Sequence, residues 1–394
     1  MTERSYLDNA ATTRMLPSAQ RRWLEVSGLV GNPSSLHDSG RRARRIVEEA
    51  RESIAADLHT RPSAVIFTSG GTEADNLAVK GLFWAGAADG RSGVIASAVE
   101  HHAVLDPVTW LNEHESAKVS WAPVDSVGRV DLDAIQRELA TGLVAVCTVM
   151  WANNEVGTVQ PVAELAQMCR EHGVPFHTDA VQALGQLRMD LQALGATAVT
   201  ISGHKIGGPF GVGALLLEPD VKPIPVLHGG GQEREVRSGT LDASGIASFA
   251  VAVREAVTQQ EQHAARMREL RNALVERVLA AVPSAHLNGD PDLSGDGRLP
   301  ANAHFSFDGC EGDALLLLLD AAGIDCSTGS ACTAGIPEPS HVLLAMGAQA
   351  QASRGSLRFS LGRDSTQADV DRLLAALPGA VERATRAGSP RSRA

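Results

Sequence analysis

Residues 197–217, TAVTISGHKIGGPFGVGALLL, decide the fold. Two short apolar runs, 196–202 and 212–217, flank a glycine-rich turn that begins with Ser202, Gly203, His204 and Lys205. Apolar runs of this length bounded by turn residues read as buried strands. Lysine is seldom buried without a partner. One placed where two such strands meet needs either a chemical reason or a snorkelling path to water.

Outward from that stretch the same rhythm recurs. Strand-like runs are expected at 64–68, 93–98, 118–123, 143–150 and 174–178, with amphipathic segments such as 72–84 and 162–171 between them. Strands alternating with helices predict an α/β domain whose sheet is mainly parallel and covered on both faces. The short gap between runs 196–202 and 212–217 predicts one antiparallel connection, hence a mixed sheet. A charged amphipathic helix over 243–282 is expected to lead into a smaller α+β part with strands at 303–307, 324–326 and 356–360. This divides the chain into a large domain, 15–260, and a small C-terminal domain, 261–394, with residues 1–14 packing against the latter.

The 394 residues carry a formal net charge of −11, with 44% hydrophobic and 21% charged residues. That is an ordinary globular balance, and its sign disfavours broad contact with nucleic acid phosphates. No apolar run approaches the roughly 20 residues that span a bilayer, and the start, MTERSYLDNAATTR, has no secretory core segment. A cytoplasmic setting without membrane or nucleic acid partners is expected. The basic cluster RRARR at 41–45 reads as a solvated helix face, and the tail RATRAGSPRSRA as frayed. Five cysteines, 147, 169, 310, 326 and 332, form no CxxC pair and no even framework, which argues against structural zinc and disulfides.

Polar clusters fall where strands end, the place ligands bind in α/β sheets. FTSGGTEADN (67–76) runs from a strand through glycines into a helix, a phosphate cradle or a plain helix start. His101 and His102 follow another strand, and adjacent histidines rarely converge on one metal. Asn153, Asn154 and Glu155 end a third strand; His177, Asp179 and Gln182 end a fourth. Asp179 alone reads equally as a helix cap. Taken together, a phosphate cradle, a stackable imidazole, a lone carboxylate and a lysine at the ends of one sheet are what pyridoxal 5′-phosphate requires. Burial lowers the lysine pKa, and Schiff-base formation removes the localised ammonium charge.

YLDNAATT, GNPSSLH, FTSGGTEADNLA, EHHAVLD, NNEVG, HTDAVQ, SGHKIGGPFGVGAL, HGGGQEREVRSGT, STGSACT and LRFSLGR, in this order over residues 6–363, resemble the cysteine desulfurase family. The resemblance implies a fold type I pyridoxal phosphate enzyme acting as a homodimer. It further implies conversion of L-cysteine to L-alanine with a persulfide on Cys332, passed to an iron–sulfur scaffold or a tRNA-thiolating enzyme. By the matching motifs, Lys205 would hold the cofactor as a Schiff base, His101 stack on its ring, Asp179 pair with the ring nitrogen and Gln182 with the phenolic oxygen. Gly71, Thr72, Ser202 and His204 would hold the phosphate, with Thr240 reaching over from the other subunit. Asn154 and Arg358 would clamp the substrate carboxylate, and the loop 326–339 would carry Cys332 between site and acceptor. No intrinsic metal is implied; Cys332 would ligate an iron–sulfur cluster only in passing, with a scaffold.

Cys326 departs from the family pattern, where a small residue is usual, and reads as a passive strand-end thiol or a secondary sulfur acceptor. Two other readings stay open on the residues alone. One is a related enzyme on the same fold, such as a selenocysteine lyase or a small aminotransferase. The other is an iron–sulfur carrier using Cys326 and Cys332, which leaves Lys205 and Asp179 without a role.

Overall fold

The computed structural model describes residues 4–329 and 339–388. In chain order its strands are β1 (Ser5–Tyr6), β2 (Val65–Thr68), β3 (Gly93–Ser97), β4 (Lys118–Ala122), β5 (Val144–Thr148) and β6 (Phe176–Asp179). There follow β7 (Ala198–Ser202), β8 (Gly213–Leu217), β9 (Ala285–Asn288), β10 (Asn302–Phe307), β11 (Ile324–Asp325) and β12 (Ser356–Ser360). Seven make one sheet in the order β2-β8-β7-β6-β5-β3-β4. Its pairs are parallel from β7 to β4, while β8 runs antiparallel to both β7 and β2. The decisive stretch is thus β7, a single 3₁₀ turn at Gly203–Lys205, and β8. The expected mixed, mainly parallel sheet is what the chain builds.

Every position of β7 and β8 is buried. Strand side chains alternate between faces, so Val199, Ile201, Ala214 and Leu216 enter one core while Ala198, Leu215 and Leu217 enter another. The first core takes Ile54 and Phe249 from helices Asp38–Asp57 and Ala243–Thr258. The second takes Leu77 and Val104 from helices Gly71–Ala88 and His102–His114. Each large apolar side chain so buried contributes about 1.5–3 kcal/mol. Covering both faces explains why the strands read as unbroken apolar runs.

A second sheet, β12-β10-β9, is antiparallel, and β1 pairs in parallel with β11. Phe305, Phe359, Leu274, Leu373 and Leu7 share its core, so a residue from the N-terminal segment sits among side chains of the last third of the chain.

Two local expectations need correction, and two strands were missed. The helix expected over 243–282 is two helices, Ala243–Thr258 and Gln260–Ala281, broken at Gln259. The physical reason is a change of face: Phe249 and Val253 serve the large-sheet core, whereas Leu274, Val275 and Val278 serve the small-sheet core. Of the tail expected to fray, 383–394, residues 383–388 continue the helix Gln367–Gly388, because Ala384 is buried against the small-sheet core; residues 389–394 lie outside the described residues. Strands β1 and β9 were not legible, since neither SY nor AHLN forms an apolar run. The basic run 41–45 lies in helix Asp38–Asp57, its arginines exposed and Ala43 buried between them. No helix among the described residues is long and apolar enough to cross a membrane.

Candidate active site

The carboxyl ends of β2, β5, β6 and β7 open onto one cleft holding about 1180 Å³ of empty space. Gly71, Thr72, His101, Asn154, Asp179, Gln182, Ser202, His204, Lys205 and Arg358 all border it. The structure therefore gathers the expected residues with two exceptions. Thr240 is exposed and stands outside the cleft of its own chain. Cys332, with most of the loop 326–339 expected to carry it, lies outside the described residues.

Lys205 ends the 3₁₀ turn that follows β7, which drives its side chain into the cleft. Its Nζ donates to the carbonyls of Ala10 at 2.6 Å and Ala11 at 2.8 Å. Burial, helped by Arg358, pulls its pKa down to about 8, against the opposing pull of Asp179 and Asp8. The amine thus deprotonates far more readily than a solvated lysine at about 10.4. Asp179 closes β6, buried, with Oδ1 accepting the Val181 amide at 2.8 Å. Burial pushes its carboxyl up to about 6, a cost the Val181 amide and Lys205 reduce. Asp179 has no ion-pair partner among the described residues.

Helix Gly71–Ala88 points its first turn at the same space. No side chain caps it, and no hydrogen bond among the described residues satisfies the Gly71 and Thr72 amides. Gly70 takes φ +148°, and a Cβ on Gly213 would stand 2.8 Å from the Gly70 carbonyl carbon. Glycine at both positions lets the loop lie against β8 and leaves the helix mouth open.

His101 caps helix His102–His114 by accepting the Ala103 amide on Nδ1 at 3.1 Å. That assignment leaves Nε2 to carry the proton. The imidazole stands open to the cleft, yet its deep setting, with Lys205 next in weight, lowers its pKa to about 4. His204 is held by Thr12 Oγ1 at 3.2 Å and stacks on Phe210 with centroids 5.4 Å apart. Gln182 donates to the Ala10 carbonyl at 2.9 Å. Arg358, buried on β12, donates from Nη1 to the Asn154 carbonyl at 2.9 Å and from Nη2 to Asp8 at 2.8 Å.

Beneath Asp179 lies an acidic layer that sequence reading missed. Asp75 and Glu100 are both buried, and burial raises both carboxyls well above the ordinary range, with Asp179 adding to it. His177, two residues before Asp179 and on the same face, contacts Asp75 at 3.5 Å and binds Thr148 and Thr200; burial holds its pKa down to about 3. Asp75 sits among Ala74, Leu77 and Ala78, and that polar interruption of an apolar helix face was the available signal. Glu155 meets Ser340 at 2.6 Å. The strap at residues 8–13 was marked only as part of the YLDNAATT match and of a segment packing on the small domain; its contacts to Lys205 and Gln182 were not foreseen, since they are made by backbone carbonyls. Cys326 is buried in the small-sheet core, where burial above all pushes its thiol to about 12; this matches the passive strand-end reading.

Pyridoxal phosphate fits these residues. A buried carboxylate with no ion-pair contact among the described residues suits a protonated ring nitrogen, uncapped amides suit a phosphate, and a lysine of lowered pKa suits an aldehyde.

Known proteins agree. The family profile for class-V aminotransferases matches residues 5–373. The chain is 56% identical over 386 residues to an IscS-like cysteine desulfurase of Mycobacterium tuberculosis, covering 97% of this chain and 98% of that one. It is 40% identical over 379 residues to cysteine desulfurase IscS of Methanosarcina thermophila, covering 96% and 92%. Among solved structures, a NifS-like protein superposes with a TM-score of 0.87 at 33% identity, over 96% of this chain and 99% of that one. A NifS-like protein from Rickettsia africae gives 0.86 at 29%, over 96% and 100%. By profile, by identity along nearly its whole length and by fold, the chain belongs to the class-V aminotransferase family and, within it, to the cysteine desulfurases.

Proposed function

We propose that the chain is a cysteine desulfurase that uses pyridoxal 5′-phosphate to take sulfur from L-cysteine, leaving L-alanine and a persulfide on Cys332. The observation that carries the reading is the convergence of Lys205, Asp179 with no ion-pair contact among the described residues, the uncapped helix mouth at Gly71 and Arg358 on one cleft. Gly71, Thr72, Ser202 and His204 would hold the phosphate, Asp179 the ring nitrogen and Gln182 the phenolic oxygen. When bound there, the cofactor supplies an electron sink for negative charge developing at the substrate Cα.

The chain's own residues do the rest. Arg358 and the Asn154 side chain hold the substrate carboxylate, a task suited to the planar guanidinium fork. Lys205 Nζ, with its lowered pKa, takes the Cα proton. His101, kept neutral at physiological pH by its deep setting in the cleft and by Lys205, would stack on the cofactor ring and carry protons at Nε2. The Cys332 thiolate attacks the substrate sulfur: an S–S bond forms, the Cβ–S bond breaks with its electron pair on carbon, and protonation of that carbon gives alanine. Only the thiolate is nucleophilic.

The persulfide then passes to an acceptor protein, an iron–sulfur scaffold or a tRNA-thiolating enzyme, in a cytoplasmic setting. A homodimer is part of the same proposal. Val30, Leu36, Phe210 and Leu227 are exposed apolar side chains that a subunit interface would cover. Thr240, exposed and outside its own cleft, is free to serve the neighbouring one. On the division into domains 15–260 and 261–394, the cleft lies where the two meet, since Arg358 comes from the second.

Mixing the purified holoenzyme with L-cysteine, measuring alanine and mapping the persulfide by mass spectrometry tests the reading. Alanine with added sulfur on Cys332 is expected, and neither from Cys332→Ser. No alanine, or a persulfide elsewhere, overturns it.

A further inference from the structure

Arg358 is not waiting with an empty fork. Its Nη2 donates to Asp8 Oδ1 at 2.8 Å and its Nη1 to the Asn154 carbonyl at 2.9 Å, while Nε is buried without a partner among the described residues. The guanidinium side chain is only 5% exposed and the Asp8 carboxylate 22%. A buried arginine needs a counter-charge, and among the described residues Asp8 is its one ion-pair partner. Glu155, the other carboxyl facing it, is bonded to Ser340 instead.

Asp8 stands on a short strap whose next residues are bound to the same site. Asn9 donates its amide to the Ser360 carbonyl at 3.2 Å, and Ala10 and Ala11 offer their carbonyls to the Lys205 amine. A substrate carboxylate arriving at Arg358 meets a guanidinium already neutralised by a carboxylate of the chain itself. Two carboxylates on one guanidinium repel each other and share a single fork, which is unfavourable.

We propose that Asp8 is an internal competitor for the carboxylate clamp: it neutralises Arg358 in the free enzyme and yields to the substrate carboxylate, thereby setting how tightly carboxylate-bearing ligands bind. The inference rests on Arg358 holding the substrate carboxylate. Asp8 acts through Arg358 and is a positioning residue. The exchange is of one ion pair for another, so weak amines without a carboxylate gain nothing from displacing it. Discrimination in favour of α-carboxylates then comes with a fixed cost in affinity.

The test uses holoenzyme, wild type and Asp8→Asn, titrated with L-alanine and with L-alaninamide, which lacks the anion. Removing the competitor is expected to lower the Kd of L-alanine about tenfold, the factor that about 1.4 kcal/mol makes, and to leave that of L-alaninamide in place. The KM for L-cysteine should fall by more than kcat moves. Weaker or unaltered L-alanine binding in the variant, as a simple brace for Arg358 would give, overturns the proposal, and so does an equal shift for both ligands. Asp8→Ser removes the charge with less bulk and repeats the comparison if Asp8→Asn fails to fold. Failure of the parent reading is seen separately: Arg358→Ala would then bind L-alanine as wild type does.

Discussion

The Lys205 amine and the Ala10 carbonyl stand 2.6 Å apart, joining the turn after β7 to a strap laid down near the start of the chain. The contact holds the amine inside the cleft, where burial brings its pKa to about 8. An amine adds to an aldehyde only when neutral. The neutral share therefore rises as pH climbs through about 8 and shrinks below it. Cofactor uptake by apoenzyme should follow that curve, reaching half its maximal rate near pH 8, well below the value for a solvated lysine. Lys205→Ala should lower turnover by ~10³-fold or more, about 4 kcal/mol, and abolish the borohydride-reducible cofactor colour.

Asp179 is buried and makes no ion-pair contact among the described residues, so a cationic ring nitrogen offers it a favourable partner. Asp179→Asn keeps the shape and the contact region but removes the charge. Cofactor dissociation measured by equilibrium dialysis should rise at least about tenfold, with the protein's melting temperature unchanged or raised, because a strained buried carboxylate is gone.

A second ion pair bears on stability. Glu233, with its side chain 1% exposed, takes both Arg51 Nη groups at 2.9 and 2.7 Å and the Phe67 amide at 2.8 Å. Breaking a buried pair on one side costs about 3–5 kcal/mol. Glu233→Gln should lose about 3 kcal/mol in urea unfolding, and Arg51→Met with Glu233→Met should recover part of the loss.

Ser340 accepts the Leu343 amide at 3.1 Å as the cap of helix His341–Ala345 and donates to Glu155 at 2.6 Å. Ser340→Ala removes a cap, about 1 kcal/mol, and strands a buried carboxyl, about 1–3 kcal/mol more. Denaturant unfolding that shows no loss would contradict this account.

Cys326 is a core thiol with a pKa near 12. Iodoacetamide should label it far more slowly in the native protein than after unfolding, and Cys326→Ala should still form persulfide on Cys332. Loss of that persulfide would restore Cys326 to the chemistry.

Much of the site was readable from residue order, because its functional groups sit at strand ends and strand ends are marked by glycine and polar punctuation. Lys205, Asp179 and His101 all announced themselves in this way. What stayed hidden has physical reasons. Ala10 and Ala11 act through carbonyls, which every residue possesses. Asp8 acts through an arginine 350 positions away. Asp75 lies on the buried face of a helix whose periodicity speaks of packing rather than charge, and Glu100 stands in the loop after β3, where residue order does not show that it is buried. Gln259 breaks a helix because the two halves answer to different cores, a tertiary cause that local amphipathicity does not contain.

The pairing of β1 with β11, and of Asn9 with Ser360, has a bearing on the order of synthesis. Residues 5–13 leave the ribosome long before their neighbours at 324 and 360. Until then Arg358 is missing, and the strap is held from its other end, where the Thr13 and Leu16 amides donate to the carbonyls of His204 and Gly207. A nascent chain can build its seven-stranded sheet before residue 324 is made, but the reactive pocket closes only after residue 360 has followed, so changes to the strap at residues 5–13 should harm catalysis more than folding.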